Sequence, residues 1–140
     1  MTTLRFEQLD PIKLPLIKRF YKQHYPSKPK SDECIITAYS DTSLVGVVRF
    51  RPVGQHRLLT GMVISPHFRG QGFATQLLNY CQKNHLTDHD YCFAYTHLQN
   101  LYLQHRFSLI EQAELPQNLK DLFERYTSSG KSLLPMQYID

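Results

Sequence analysis

Hydrophobic positions along the chain change their spacing several times, and each change marks a new element. Segments 33–39 and 44–51 are rich in β-branched and aromatic residues and are separated by a polar cluster, which predicts a β-hairpin. The apolar segment 57–65 adds a third strand, buried on both faces, and so predicts an antiparallel meander. Alternation over residues 4–9 predicts a strand ahead of this group.

Helical spacing of apolar residues recurs four times. Four-residue spacing predicts a helix over 12–24, and the i, i+3, i+4, i+7 pattern after Gly72 predicts another that ends near His85. Residues 98–102 share one helical face, and Pro116 opens a last amphipathic helix. Helices therefore follow the meander as well as precede it.

Further strands are predicted at 91–95, from Phe107 onwards, and in the C-terminal tail. In the tail, Pro135 favours an edge position because proline cannot donate a backbone hydrogen bond. The element order predicts an α+β fold with a single mixed, mostly antiparallel sheet flanked by helices, and one domain over residues 1–140.

Composition supports a folded chain. Its 140 residues suit one domain, 41% are hydrophobic, and 8 Phe and 9 Tyr can build a core. The net charge of +4 suits an anionic small ligand, whereas nucleic acid is not an expected partner because no nucleic-acid-binding motif is present. The basic residues of the first helix and the following loop are interpreted as a solvated face.

Cysteine content and the first residues bear on the compartment. The 3 cysteines are an odd number and too few for a disulfide scaffold, so we expect a reducing, cytoplasmic environment. We find neither a signal-peptide pattern nor an apolar run of about 18 residues, so secretion and membrane insertion are not expected.

The most informative stretch is 63–74, where a buried strand meets a helix through a turn containing Gly70 and Gly72. The first N–H groups of the helix have no acceptor within the helix, so they and Arg69 can bind a phosphate or pyrophosphate. The dinucleotide and P-loop motifs are both absent, which disfavours those cofactors. A tight turn without a ligand is the alternative interpretation.

The run Arg69-x-x-Gly72-x-Ala74 resembles the acetyl-CoA signature of the GCN5-related N-acetyltransferase (GNAT) family, which is Arg or Gln, two residues, Gly, one residue, then Gly or Ala. The element order resembles that family too. The resemblance implies the acyl-CoA N-acyltransferase fold, with acetyl-CoA as the acetyl donor.

The family also implies how the donor binds. The strand ending at Ile64 would bulge and splay from the strand 91–95, leaving a V-shaped gap for pantetheine, with N–H groups from 69–74 on the pyrophosphate. On the first helix turn after 91–95, Asn100 could reach the donor or simply be an exposed polar residue. The implied donor-binding residues are Met62, Val63, Ile64, Arg69, Gly70, Gln71, Gly72, Phe73, Ala74 and Asn100.

Segment 101–107 resembles the family's Tyr, three residues, Gly-Phe, which places Tyr102 on the frequent general acid. A phenol can return a proton to the departing thiolate. A core tyrosine is the alternative, since Leu98 and Leu101 share its face. Arg106 stands where the family has glycine, which makes a positive φ there less comfortable.

The general base is poorly specified. His97 is the first candidate and Glu33 the second, with His56, His67 or an ordered water also open. The spacing of Cys81, His85, His89 and Cys92 is similar to that of zinc ligands, but both cysteines fall at apolar positions typical of a core. No metal site is therefore expected.

These features predict an acetyl-CoA-dependent N-acetyltransferase that acts on a primary amine by direct attack. The alternative is a noncatalytic acyl-CoA-binding or protein-interaction domain with the same fold. The acceptor is open among polyamines, amino acids, aminoglycoside-like compounds, peptide N-termini and lysine side chains. We expect segments 25–33 and 114–131 to wall its pocket, and a C-terminal edge strand could pair with a second copy in a homodimer.

Overall fold

The computed structural model describes residues 3–25 and 27–140, and within them seven strands and four helices. The strands are β1 (Arg5–Gln8), β2 (Cys34–Ser40), β3 (Ser43–Val53), β4 (His56–Ile64), β5 (Asp90–Tyr95), β6 (Phe107–Leu109) and β7 (Leu133–Tyr138). The helices are α1 (Leu14–His24), α2 (Phe73–Asn84), α3 (Gln99–Leu103) and α4 (Gln117–Ser128). Single 3₁₀ turns lead into α1 and α3.

The strands form one sheet in the order β1-β2-β3-β4-β5-β7-β6. Strands β1 to β4 run as an antiparallel meander, β4 and β5 are parallel, and β7 is antiparallel to both β5 and β6. The predicted fold class, a single mixed and mostly antiparallel sheet flanked by helices, is therefore confirmed.

Side chains of successive strand residues point to opposite faces, and both faces are covered. Val48 and Leu59 contribute to a core with α2 and α3, whereas their neighbours Val47 and Leu58 face α1 and α4 respectively. The predicted burial of β4 on both faces is confirmed. Helix α1 has its buried stripe at Ile17, Phe20 and Tyr21, whereas Ile12 and Leu16, which belong to the same four-residue spacing, are exposed.

The prediction for the C-terminal strand was wrong in one respect. β7 lies inside the sheet, between β5 and β6, and the edge strands are β1 and the three-residue β6. Pro135 is tolerated because the pairing of β7 with β6 stops at Met136. On the β6 side of Pro135, only its carbonyl forms a hydrogen bond, which it accepts from Ile110 N–H at 3.2 Å. A second copy could therefore not pair with β7.

Across the described part of the chain, none of the helices combines the length and the apolar character needed to cross a membrane.

Candidate functional site

Strand β4, which neighbours β5 in the sheet, contains a β-bulge. Val47 pairs with Val63 but Arg49 pairs with Thr60, so β4 holds one more residue than β3 in this interval. Gly61 lies in it with φ of +62°, and its carbonyl accepts a hydrogen bond from the Tyr21 hydroxyl at 2.6 Å. Helix α1 thereby fixes the position of the bulge.

Only glycine fits at this bulge. A Cβ on Gly61 would lie 2.8 Å from Arg49 Nε and 2.9 Å from the Tyr21 hydroxyl. The sequence analysis did not single out Gly61, although an isolated glycine within a strand pattern is itself a signal for a bulge.

Beyond the bulge, β4 and β5 separate. Their pairing ends at Leu59 with Cys92, although β4 continues to Ile64 and β5 to Tyr95. This is the splay that the family resemblance implied. A cavity of about 110 Å³, here called the splay cavity, opens between the two strands. Its lining includes Tyr25, Thr60, Met62, Tyr95, Tyr102, Tyr126 and Lys131.

At the end of β4, the segment 69–74, here called the glycine turn, leads into α2. Gly70 and Gly72 have φ of +79° and +77°, a region that other residues rarely adopt, and open space lies where a Cβ would stand on each. Gly72 is the N-cap of α2, so the N–H groups of the first helical turn lack acceptors within the helix. The turn therefore presents backbone donors to an open pocket of about 150 Å³.

Side chains play a minor part at the glycine turn. Phe73 is buried in the core, and Gln71 is exposed. The Arg69 side chain donates from Nε to the Ile64 carbonyl at 3.0 Å and so ties the turn to the end of β4. We therefore expect these residues to contact the donor through their backbone groups. The same holds for Val63, whose side chain is buried against α1.

Asn100 is placed elsewhere. It is exposed on α3, and its side chain lines neither the splay cavity nor the pocket at the glycine turn. Val63 and Gln71 likewise line neither pocket, whereas Met62, Ile64, Arg69, Gly70, Gly72, Phe73 and Ala74 each line one of the two.

Tyr102 is both a core residue and a cavity residue. It is 6% exposed, packs edge-to-face on Phe107 with ring centroids 5.6 Å apart, and lines the splay cavity. Among the described residues its hydroxyl has no hydrogen-bond partner. Burial raises the pKa of the Tyr102 phenol well above its ordinary value, so the hydroxyl stays protonated.

The segment after Tyr102 keeps the family's backbone shape despite the substitution of glycine. Arg106 has φ of +67°, and its carbonyl accepts a hydrogen bond from Ile139 N–H at 2.8 Å. Its Nε donates to the Ile139 carbonyl at 3.1 Å. These two bonds to the C-terminal residues offset part of the strain of the left-handed conformation.

The four candidate bases differ in their position relative to the splay cavity. His56 is at the opposite end of β4 and packs on Tyr91, while His67 and His97 are exposed, and none of the three lines the splay cavity. Glu33 is buried and paired with Arg49, whose Nη1 is 2.8 Å from its Oε1. Glu33 lines a depression beside the splay cavity, and the His97 ring lies 5.9 Å from the ring of Tyr95, which lines the cavity itself.

A second depression adjoins the splay cavity, and we call it the basic cleft. It has a volume of about 190 Å³ and shares Tyr25, Thr60, Tyr126 and Lys131 with the cavity. Its remaining lining is Ser27, Lys28, Lys30, Glu33, Arg49 and Arg51. Both segments expected to form pocket walls, 25–33 and 114–131, contribute to it.

Several of these residues were missed as site residues. Tyr126 was predicted only as part of the packing stripe of α4, and Thr60 carried no signal. Arg51 was interpreted only as part of a strand. These side chains meet only after four separate segments fold together, so no local motif marks them.

The cysteines have a structural role. Cys81 and Cys92 lie in the core between the sheet and α2, and burial raises the pKa of the Cys81 thiol to about 12 and that of the Cys92 thiol well above its ordinary value. Both thiols are therefore protonated, which is unfavourable for metal ligation. The described residues hold no group of three or more His, Cys, Asp or Glu placed to hold a metal ion.

Solved structures share this fold at low sequence identity. N-acetylglutamate synthase from Neisseria gonorrhoeae matches with a TM-score of 0.71 and 13% identity over 99% of this chain, which spans only about a third (35%) of that protein. Naa50 from Arabidopsis thaliana matches at 0.68 with 14% identity, covering 98% of this chain and 99% of its own. ElaA from Escherichia coli matches at 0.68 with 17% identity, covering 99% and 100%.

No curated protein matches the sequence. A family match does exist, and it covers residues 4–108, from the first strand to the edge strand that follows Tyr102. This range includes the bulge, the splay and the glycine turn. The chain therefore belongs to the acetyltransferase (GNAT) family.

Proposed function

We propose that this chain forms a single domain over residues 1–140 that transfers the acetyl group of acetyl-CoA to a primary amine by direct attack. The observation that carries the proposal is the continuity of the site. Three features lie together at the end of β4: the splay of β4 from β5, the cavity beside Tyr102 and the glycine turn.

The fit of the donor rests on the backbone. Open space at Gly70 and Gly72 and the free N–H groups at the start of α2 suit a pyrophosphate, and the helix dipole adds to this attraction. The unpaired edges of 60–64 and 93–95 offer backbone groups to the amide-containing pantetheine arm, which would lie as an extra strand. The related N-acetylglutamate synthase was crystallised with coenzyme A.

Tyr102 would act at the reacting end of the donor. The amine nitrogen forms a bond to the thioester carbonyl carbon, the carbon–sulfur bond breaks, and the Tyr102 hydroxyl gives its proton to the departing thiolate. Burial keeps the phenol protonated, so its proton is available to the thiolate.

The acceptor must lose a proton as it attacks. Glu33 lines the basic cleft, but both its oxygens lie within hydrogen-bond distance of Arg49 Nη1, and Oε1 also accepts from Lys30 N–H. We therefore propose that an ordered water in the basic cleft removes the proton, with Glu33 as its neighbour.

The experiment measures two quantities on the same protein. Calorimetry gives the affinity for acetyl-CoA, and thiol release from acetyl-CoA is followed across a panel of primary amines. We expect binding and amine-dependent thiol release. Binding without turnover on any amine would support the noncatalytic acyl-CoA-binding domain instead, and absence of binding would contradict both.

A further inference from the structure

The basic cleft carries more positive charge than the transfer of an acetyl group requires. Glu33 is its only carboxylate, and Glu33 is already paired with Arg49. Lys28, Lys30, Arg51 and Lys131 line the same cleft and form no ion pair with another described residue. The cleft therefore has unbalanced cations directly beside the splay cavity.

Two of these cations are positioned by the same side chain. Arg51 Nη1 donates to the Tyr126 hydroxyl at 3.0 Å, and Lys131 Nζ lies 4.8 Å from the centre of the Tyr126 ring. Tyr126 lines both the basic cleft and the splay cavity. Arg51 and Lys131 thus flank the passage between the basic cleft and the splay cavity. The Arg51 guanidinium keeps N–H donors free for a further acceptor.

We propose that the acceptor is a small primary amine that also carries a carboxylate, as an amino acid does. Arg51 and Lys131 bind the carboxylate, and the amine extends past Tyr126 and Thr60 into the splay cavity beside Tyr102. This inference rests on the proposed function, because it names the substrate class of the same site.

Charge and size both favour this class over the other acceptors that the sequence left open. A polyamine or an aminoglycoside-like compound would bring further positive charge into a cleft that already has too much. A planar guanidinium matches the two oxygens of a carboxylate. The cleft volume of about 190 Å³ suits a molecule the size of an amino acid.

The test compares matched acceptors in the acetyl-transfer assay. Amino acids are screened first at equal concentration. The best amino acid is then compared with its carboxamide and with its decarboxylated amine. If that amino acid has two carboxylates, each one is replaced in turn. O-phosphoethanolamine, spermidine and a short peptide with an acidic N-terminal residue complete the panel. We expect kcat/KM for the amino acid to exceed that for its carboxamide by about 10- to 100-fold, the usual range for losing one charged hydrogen-bonding pair.

Variants separate recognition from intrinsic amine reactivity. Arg51→Met and Lys131→Met should each reduce the ratio of kcat/KM for acid over carboxamide by about tenfold, mainly through KM. Comparing this ratio between each variant and the wild type cancels the difference in amine basicity between the two substrates. Arg51→Lys should restore part of the preference. Lys83→Met, an exposed cation on α2 outside both cavities, is the matched control and should leave the ratio unchanged.

The outcomes are distinct. Turnover with amines whose acid-to-carboxamide ratio is near one, or is unaffected by Arg51→Met and Lys131→Met, would overturn the inference and leave the proposed function standing. A preference for spermidine, O-phosphoethanolamine or the peptide would also overturn it. No thiol release with any amine would overturn the proposed function and, with it, this inference.

Discussion

The glycine turn presents backbone N–H groups from one continuous segment, whereas the basic cleft presents side chains that come from four separate segments. At the turn, Gly70 and Gly72 need a positive φ and open space, and the side chains around them contribute little. In the cleft, both arginines are held by a partner, Arg49 by Glu33 and Arg51 by Tyr126.

This difference predicts different consequences of substitution. A change at the turn should remove binding while the fold persists, because nothing packs on the open side of the glycines. A change in the cleft should cost stability whenever it leaves a buried charge without its partner. The splay cavity lies between the two regions, and changes there should affect the chemical step.

The largest effect is expected at the turn. Gly72→Glu places a carboxylate where the pyrophosphate would bind and should abolish detectable acetyl-CoA binding in calorimetry, with the folded state retained. Gly130→Glu is the matched control, because Gly130 also has a positive φ, of +100°, and open space around it. Equal acetyl-CoA affinity in the two folded variants would remove the turn from the site.

At the junction of the two regions, Tyr102→Phe should slow acetyl transfer by about 10²- to 10⁴-fold, the usual contribution of a general acid. Acetyl-CoA affinity should change far less, since only one hydroxyl is lost. The measurement is single-turnover transfer at saturating donor.

Tyr138→Phe is the control for Tyr102→Phe. Tyr138 packs on the same Phe107, with centroids 5.4 Å apart, is equally buried, and does not line the cavity. If Tyr102→Phe and Tyr138→Phe both transfer acetyl at the wild-type rate, Tyr102 is only a core residue.

In the cleft, Glu33→Gln should lower the free energy of unfolding by about 3 kcal/mol, because Arg49 remains buried without its counter-charge. Urea denaturation measures this loss. Glu7→Gln breaks the exposed Arg5–Glu7 pair and should cost less than about 1 kcal/mol. A loss as small for Glu33→Gln would mean that the Arg49 pair does not hold the cleft together.

The smallest of these effects is expected at the bulge. Gly61→Ala should lower the free energy of unfolding by about 2 kcal/mol, from the positive φ and from contact with Arg49 and the Tyr21 hydroxyl. Gly70→Ala, at φ of +79° in open space, has a similar backbone conflict without the close contacts and should lose only about 1 kcal/mol. Equal losses would show that the close approach at Gly61 is relieved without cost.

The same division between the glycine turn and the basic cleft separates what could be predicted from the sequence from what could not. The meander, the helices and the glycine turn are encoded in contiguous residues, because periodicity and positive-φ glycines are local signals. The family resemblance added the splay, which the structure contains, and it singled out Tyr102, which lines the splay cavity and whose role as general acid stays a prediction.

The remainder depends on long-range packing. The interior position of β7 follows from the pairing of β6, which no local pattern reveals, so Pro135 pointed to the wrong place in the sheet. The basic cleft joins residues as far apart as Lys28, Arg51 and Lys131. Its walls were predicted as segments, but the side chains that matter could not be chosen from the sequence.

The central claim is that the glycine turn, the splay and the cavity beside Tyr102 form one acetyl-CoA site. A crystal structure of the protein with coenzyme A tests it most directly. We predict the pyrophosphate on the N–H groups of 69–74, the pantetheine arm between 60–64 and 93–95, and the sulfur beside the Tyr102 hydroxyl. Coenzyme A bound elsewhere, or with its sulfur remote from Tyr102, would contradict the account.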